Sequence, residues 1–194
     1  MYVGQRQLWA ELDLYLNGPD EEGVQLAPLL LLGETGAGKS ASLANWTLQN
    51  QAAGFVLPHF TSCSAHSADP AAMMRRVLSE LQRSFNLGGD VGSLSSDEMA
   101  RLFPIWIERA AAVQRVVLIL DGVDELISDA DPDGYDLSQL AWLPLRLPPN
   151  SRIILSAATG SGAAETLAMR GVPSRTVCAP TREDKEAAIT RYPG

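Results

Sequence analysis

The chain has 194 residues, 46% of them hydrophobic and 20% charged, and a formal net charge of −8. That length suffices to bury one α/β core, and no segment reaches the roughly 20 apolar residues that a membrane span requires. The acidic balance also argues against a broad nucleic-acid surface, which needs clustered basic side chains. We therefore expect a single domain, 1–194, without a membrane span or a nucleic-acid partner.

Short apolar runs alternate along the chain with longer helical patterns, an arrangement typical of a parallel sheet covered by helices. The pattern predicts an N-terminal helix over 5–16 and strands over 28–32, 55–61, 115–120, 152–156 and 175–178. Further helices are predicted over 39–53, 70–85, 97–113 and 163–169. Ser96 is expected to cap the helix over 97–113, and Pro104 to kink or split it.

Two stretches rich in glycine, serine or acidic residues, 87–95 and 128–136, are predicted to be mobile loops. The only cysteines are Cys63 and Cys178, and no signal peptide precedes the first strand. We therefore expect reduced, buried thiols and a cytoplasmic location.

The segment after the first strand matches the phosphate-loop pattern G-x-x-x-x-G-K-[ST] at every position. It consists of Gly33, Glu34, Thr35, Gly36, Ala37, Gly38, Lys39 and Ser40. Glycines let such a loop curl so that its backbone N–H groups face phosphate oxygens, and the following helix adds the positive end of its dipole. Lys39 is predicted to reach the β- and γ-phosphates, and Ser40 to bind Mg²⁺. We expect nucleotide contacts from Gly33 through Ala41.

A second motif is an apolar strand that ends in acidic residues, Asp121-Gly122-Val123-Asp124-Glu125. A carboxylate at the end of a buried parallel strand lies where ligands bind in open α/β sheets. Asp121 is therefore the predicted partner of Mg²⁺, directly or through water. Glu125 is predicted to polarise a water for attack on the γ-phosphate, with Asp124 as the alternative.

The strings GETGAGKS and LILDGVDEL together resemble the STAND class of P-loop NTPases, particularly NACHT-like domains of the nephrocystin-type and telomerase-associated-type group. In that resemblance Val3 and Gly4 are similar to an N-terminal segment whose backbone lies against adenine. Ser156 stands at the sensor position, with Ser156-Ala157-Ala158 where many relatives carry Thr-Ser-Arg or Ser-Arg. The resemblance implies ATP or ADP with Mg²⁺ as the bound cofactors.

The same resemblance implies a three-layer α/β sandwich with a five-stranded parallel sheet in the order 5-1-4-3-2. It also implies a helical lid, of which 181–194 would be the start, so we expect the chain to be one module of a larger protein. The expected partners are a nucleotide and other domains or subunits of that protein. By resemblance to nephrocystin-type relatives, the location is ciliary or cytoskeletal within the cytoplasm.

Three functions are compatible with these motifs. The first is slow ATP hydrolysis that acts as a nucleotide switch in a larger signalling or scaffold protein. The second is a structural module that binds nucleotide without turnover, for instance in a ciliary or cytoskeletal assembly. The third is a P-loop kinase for a small molecule, which requires clustered arginines where this chain offers Arg75-Arg76. No Asn-Lys-x-Asp segment specifies guanine, which favours ATP.

Overall fold

The computed structural model describes residues 3–19, 26–126 and 136–178. Within them the apolar runs form a five-stranded sheet in which every neighbouring pair is parallel. The strands are β1 (Leu29–Gly33), β2 (Phe55–Phe60), β3 (Val116–Asp121), β4 (Ser151–Ala158) and β5 (Ser174–Thr176). Their order, β2-β3-β4-β1-β5, is the predicted order 5-1-4-3-2 from the opposite edge and confirms the fold class. All strands therefore end at the same edge of the sheet, where ligands bind in open α/β folds.

The predicted helices are present in the described part of the chain, with shifts at some of their ends. They are α1 (Val3–Asn17), α2 (Lys39–Gln49), α3 (Pro70–Phe85), α4 (Ser96–Ala111) and α5 (Gly162–Met169). The helix predicted over 39–53 is shorter than expected, because a separate 3₁₀ turn (Gln51–Ala53) follows α2. The last strand begins and ends earlier than its predicted range of 175–178.

The N-cap predicted for α4 was wrong, and of the kink or split expected at Pro104 the split does not occur. Its N-cap is Ser95 rather than Ser96: the Ser95 hydroxyl accepts the Glu98 backbone N–H, and the Glu98 carboxylate accepts the Ser95 backbone N–H. This reciprocal pair satisfies two N–H groups at the start of the helix. The helix is not split at Pro104, because buried residues before and after the proline, Phe103 and Trp106 among them, hold both halves against the core.

The sheet has helices on both faces, which gives the expected three layers. Because successive strand residues point to opposite faces, each face has its own apolar core. One core lies under α1 and α2 and includes Leu12, Leu43, Trp46, Val117 and Ile119. The other lies under α3, α4 and α5 and includes Met74, Phe103, Leu118, Leu155 and Leu167. No helix in the described ranges is long and apolar enough to cross a membrane.

The loop over 87–95, predicted to be mobile, is held by a side chain from α3. The Arg75 guanidinium donates hydrogen bonds to the carbonyl oxygens of Val91, Gly92 and Leu94, and Val91 is buried.

Both cysteines, Cys63 and Cys178, are free thiols but lie exposed, so the prediction that they are buried was wrong.

Two other predictions fall on residues outside the described ranges. These are the acidic loop over 128–136, of which only Asp136 is described, and the lid start over 181–194.

Candidate functional site

The phosphate-loop motif forms a tight loop between the end of β1 and the start of α2. Gly36 and Gly38 have φ angles of 82° and 88°, in the left-handed region that side chains other than glycine rarely adopt. Within the loop the Ala37 N–H donates to the Glu34 carbonyl oxygen at 3.0 Å. The motif glycines are therefore required by the backbone conformation itself.

The start of α2 presents unpaired backbone donors to the loop. The Ser42 N–H donates to the Gly38 carbonyl oxygen at 2.9 Å, which is the first turn of the helix. The N–H groups of Lys39, Ser40 and Ala41 precede this turn, so they have no partner within the helix. Such a helix start, following a glycine-rich loop, is a ready anion site, because N–H groups and the helix dipole both favour negative charge.

The Lys39 side chain lies across the loop that it follows. Its Nζ donates to the carbonyl oxygen of Gly33 at 2.6 Å and to that of Glu34 at 3.2 Å. The ammonium group carries three N–H donors, so it can bond to both loop carbonyl oxygens and still donate a hydrogen bond to an anion.

Gly33 is required by a close approach of the chain that follows β5. A Cβ at this position would lie 2.7 Å from the Val177 carbonyl oxygen and 3.5 Å from the Ala37 Cβ. The Val177 N–H also donates to the Leu32 carbonyl oxygen. The residues after β5 are thus packed against the beginning of the phosphate loop.

Asp121, at the end of β3, is buried with only 2% of its surface exposed. Its Oδ1 accepts a hydrogen bond from the Ser156 hydroxyl at 2.5 Å. The Ser156 Oγ in turn accepts the Gly122 N–H at 2.9 Å. The adjacent strands β3 and β4 are therefore joined at their carboxyl ends through this side chain.

The two acids after Asp121 are held by different strands. Asp124 accepts the Ala158 backbone N–H, from the end of β4, on Oδ2 at 3.1 Å. Glu125 Oε2 lies 3.1 Å from the Thr61 hydroxyl, which follows β2. A Cβ at Gly122, whose φ is 74°, would lie 2.3 Å from the Thr61 Oγ1, so glycine is needed for this contact. Thr61 was not among the predicted site residues; its only sequence signal is its place after a strand beside β3.

Six of the predicted phosphate-loop residues and the predicted acids Asp124 and Glu125 meet around one open cleft of about 330 Å³. It is lined by Thr35, Gly36, Gly38, Lys39, Ser40, Ala41, Gly122, Asp124, Glu125, Ser156 and Ala158. The predicted residues Gly33, Glu34, Ala37 and Asp121 are not in the lining, although Asp121 is bonded to Ser156, which is. Val3 and Gly4 fall in the first turn of α1, where the side chains are not described, so their contact with adenine stays a prediction.

The donor set of this cleft fits a nucleotide phosphate chain with a divalent cation. Its lining combines positive donors, from Lys39 and the start of α2, with the acids Asp124 and Glu125, which follow β3. The Ser40 hydroxyl and the Asp121 carboxylate offer the oxygen ligands that Mg²⁺ prefers. A parallel sheet in this strand order, with this loop after β1 and these acids after β3, defines a P-loop NTPase domain.

Comparison with known proteins assigns the type of P-loop domain. The AAA domain family matches residues 26–160, well over half of the chain. The chain therefore belongs to the AAA domain family, and it is an AAA-type P-loop NTPase domain.

Several curated proteins are similar to this chain over about 70% of its length. Tetratricopeptide repeat protein 41 of Rattus norvegicus is 32% identical over 73% of the chain and 11% of that protein. Nephrocystin-3 of Xenopus tropicalis is 30% identical over 68% of the chain and 10% of that protein. Telomerase protein component 1 of Rattus norvegicus is 28% identical over 71% of the chain and 5% of that protein. The chain thus spans about a tenth or less of the length of these relatives.

Solved structures share the fold at low sequence identity. The Cdc6p protein of Pyrobaculum aerophilum matches with a TM-score of 0.60 and 16% identity, over 98% of this chain and 49% of that chain. The ORC1 protein of Aeropyrum pernix, solved in complex with DNA, matches with a TM-score of 0.57 and 17% identity. The match covers 97% of this chain and 47% of that chain. Both likenesses concern the fold alone.

Proposed function

We propose that this domain binds Mg·ATP in the cleft between the phosphate loop and the end of β3, and hydrolyses it slowly as a nucleotide switch in a larger protein. The observation that carries the proposal is the cleft itself. Lys39 and the first residues of α2 line it together with Asp124 and Glu125, and Asp121 is bonded to Ser156 of the same lining. A phosphate chain needs donors on one side, and a bound cation needs carboxylate oxygens on the other.

Each polar group of the cleft has a role in this proposal. Lys39 and the loop N–H groups hold the β- and γ-phosphates, while Ser40 and Asp121 hold Mg²⁺, which neutralises phosphate charge when bound. Glu125 orients the attacking water, because its carboxylate lines the cleft and its Oε2 lies 3.1 Å from the Thr61 hydroxyl. Asp124 is the alternative base and is tied to the backbone of β4.

Slow turnover is proposed because the cleft lacks a second strong cation. Among the described residues, no arginine lines it. An arginine that reaches the transferred phosphoryl group accelerates related reactions by about 10³–10⁵. Without one, the domain is suited to hold a nucleotide for long periods, as a switch requires.

The larger context of the switch is proposed from the relatives. The chain covers 5–11% of telomerase protein component 1, nephrocystin-3 and tetratricopeptide repeat protein 41, so in those proteins the matching domain is one part of a long chain. Two of these names correspond to the group of NACHT-like STAND domains that the motifs resemble. We include membership of that class, and a cytoplasmic or ciliary location, in the proposal.

A second candidate function is nucleotide binding without turnover in a structural assembly. It is favoured by the end of β4, where Ser156 is followed by two alanines rather than an arginine. The kinase alternative has less support. Arg75 is bonded to the loop over 87–95 and Arg76 to the Pro58 carbonyl oxygen, and neither lines the cleft.

Calorimetric titration of the purified domain with ATP, ADP and GTP, each with Mg²⁺ and with EDTA, tests the proposed function. We expect ATP to bind more tightly with Mg²⁺ than with EDTA, and more tightly than GTP. Phosphate release measured on the same samples separates the switch from the binding module, which would release none. Absence of nucleotide binding in all conditions would contradict both.

A further inference from the structure

The end of β4 is the part of the cleft where the family resemblance implies a sensor residue, yet its polar groups bond to residues of β3 and of the turn after it. Ser156 has none of its surface exposed, although its position borders the cleft. Its hydroxyl contacts Asp121 at 2.5 Å and Gly122 N at 2.9 Å. The side chain is therefore enclosed between the strands.

The single hydrogen of the Ser156 hydroxyl limits the hydrogen bonds that this side chain can donate. A serine hydroxyl carries one hydrogen, and its oxygen can also accept. The Gly122 N–H is a donor, so the Ser156 oxygen accepts from it, and the hydroxyl hydrogen is donated to the Asp121 carboxylate. A phosphate oxygen is an acceptor and needs a donor. The Ser156 hydrogen is already held by a charged acceptor within a buried site.

The next residues of β4 continue the same arrangement. Ala157 and Ala158 have no polar side-chain atoms, and the Ala158 backbone N–H donates to Asp124 at 3.1 Å. The Ser156 hydroxyl thus donates to the carboxylate at the end of β3, Asp121, and the Ala158 N–H donates to Asp124, which follows it.

We propose that Ser156 is a positioning residue for the Asp121 carboxylate in metal binding, and that it does not contact the terminal phosphate; this inference rests on the proposed Mg·ATP binding. By donating to Oδ1, the hydroxyl fixes the rotation of the carboxylate and leaves Oδ2 available for Mg²⁺ or a water bound to it. A ligand carboxylate held by an outer hydrogen bond binds metal better, because it loses less freedom on binding. The end of β4 would then affect nucleotide affinity through the metal.

The test is calorimetric titration of Ser156→Ala with ATP and with ADP, each in Mg²⁺ and in EDTA. For Ser156→Ala we expect the gain in ATP affinity that Mg²⁺ provides to fall about tenfold, the effect of losing one hydrogen bond to a charged group. Binding in EDTA should match the parent, with the same ratio of ATP to ADP affinity. Unchanged binding in EDTA also shows that the variant is folded.

Two further variants make the test specific to positioning. Ser156→Thr keeps the hydroxyl and should restore most of the Mg²⁺ effect. In an Asp121→Asn background, Ser156→Ala should cause little additional loss, since residues that act through one interaction are not additive. A full additional tenfold loss in that background would overturn the inference.

The other outcomes are also distinct. If Ser156→Ala keeps the Mg²⁺ effect but lowers the ATP-to-ADP ratio in EDTA, the hydroxyl contacts the terminal phosphate and the inference is wrong. If the variant loses binding equally in Mg²⁺ and EDTA, or is not rescued by Ser156→Thr, its role is only structural and the inference is again wrong. If the parent itself shows no Mg²⁺ effect, the proposed function fails instead.

Discussion

At the scale of single residues, Asp124 and Glu125 are adjacent in sequence but are held from opposite sides. Thr61, after β2, contacts Glu125, whereas the Ala158 N–H, at the end of β4, contacts Asp124. Since β2 and β4 flank β3, the two acids have different neighbours and need not share a role. Only Glu125 has a side-chain hydroxyl as its partner, and it is also the more exposed of the two.

Replacing Glu125 with Gln should lower ATP hydrolysis by roughly 100-fold, the lower range for loss of a general base. Nucleotide binding should be retained, because the amide keeps the shape of the side chain and Glu125 does not hold the phosphates. Phosphate release and calorimetric affinity, measured on the same preparation, check both parts. If the variant is as active as the parent, the base lies elsewhere, and Asp124→Asn becomes the variant that should lose activity.

Replacing Asp121 with Asn should weaken ATP binding in Mg²⁺ much more than in EDTA. The carboxylate acts through the metal, and the amide that replaces it is a neutral, weaker ligand. The Ser156 hydroxyl can still donate to the amide oxygen, so the fold around the site should survive. Titrations in the two conditions check this, and equal losses in both would assign Asp121 to the structure of the turn.

The parts of the site that local sequence specifies were predictable, and the parts created by neighbouring strands were not. The phosphate loop and Asp121 follow from spacing and from a strand that ends in acid. Thr61 was missed because its contact with Glu125 spans 64 positions and depends on the β2–β3 pairing. The exposure of Cys63 and Cys178 was missed for a similar reason, since cysteine is often buried and nothing local marks these two as surface residues.

At the scale of elements, α1 is fastened to the sheet by a buried arginine. The Arg152 Nε and Nη2 atoms, from β4, donate to the carbonyl oxygens of Tyr15 and Gly18 at 2.7 Å each. The Tyr15 hydroxyl bonds back to the Ile153 backbone and to the Ala27 carbonyl oxygen. The two Arg152 bonds satisfy carbonyl groups at and just after the end of α1, which the helix itself leaves without partners.

Replacing Arg152 with Leu should lower the free energy of unfolding by about 3 kcal/mol, because it removes the guanidinium donors from the partly buried carbonyl oxygens of Tyr15 and Gly18 and from the Ser151 carbonyl oxygen. Chemical denaturation of the variant and the parent measures the difference. Arg101→Leu is the matched control, since Arg101 lies exposed on α4 and forms a surface ion pair with the partly exposed Asp97. Surface ion pairs contribute little, so the control should unfold close to the parent. A small change in both variants would mean that α1 is held by its apolar contacts alone.

The elements themselves were predictable because apolar periodicity and turn residues are local signals. The ends of the helices were less predictable, since they depend on the geometry of the capping residues. Both Ser95 and Ser96 stand before the helical pattern, and only the exchange with Glu98 selects Ser95. The loop over 87–95 has the composition of a mobile segment, and its order comes from Arg75, at a distance in sequence.

At the scale of the whole molecule, the site occupies the single edge of the sheet where the strands end, and the chain after β5 passes directly beside the phosphate loop. Val177, close to the end of the described residues, therefore lies against the start of the phosphate loop. The strand order was predicted through a family resemblance rather than from hydrophobic patterns, because periodicity indicates strands without their neighbours.

Hydrolysis by the isolated domain should be slow, below about one turnover per second, the low end of ordinary enzyme rates. The reason is that the described lining of the cleft contains one lysine and no arginine. Steady-state phosphate release at saturating Mg·ATP measures the rate. A rapid rate, independent of protein concentration, would show that a monomer already has all the groups needed for fast phosphoryl transfer.

The central claim is that the loop between β1 and α2 holds nucleotide phosphates, and Lys39→Ala tests it most directly. The variant removes a charge-assisted contact from a solvent-facing loop, and Arg101→Ala, which removes one positive charge from an exposed position on α4 that does not line the cleft, is its control. Calorimetry should show Mg·ATP affinity reduced roughly 10- to 100-fold in Lys39→Ala and unchanged in Arg101→Ala, with both folded by circular dichroism. Mg·ATP affinity that is the same in folded Lys39→Ala as in the parent would contradict the account.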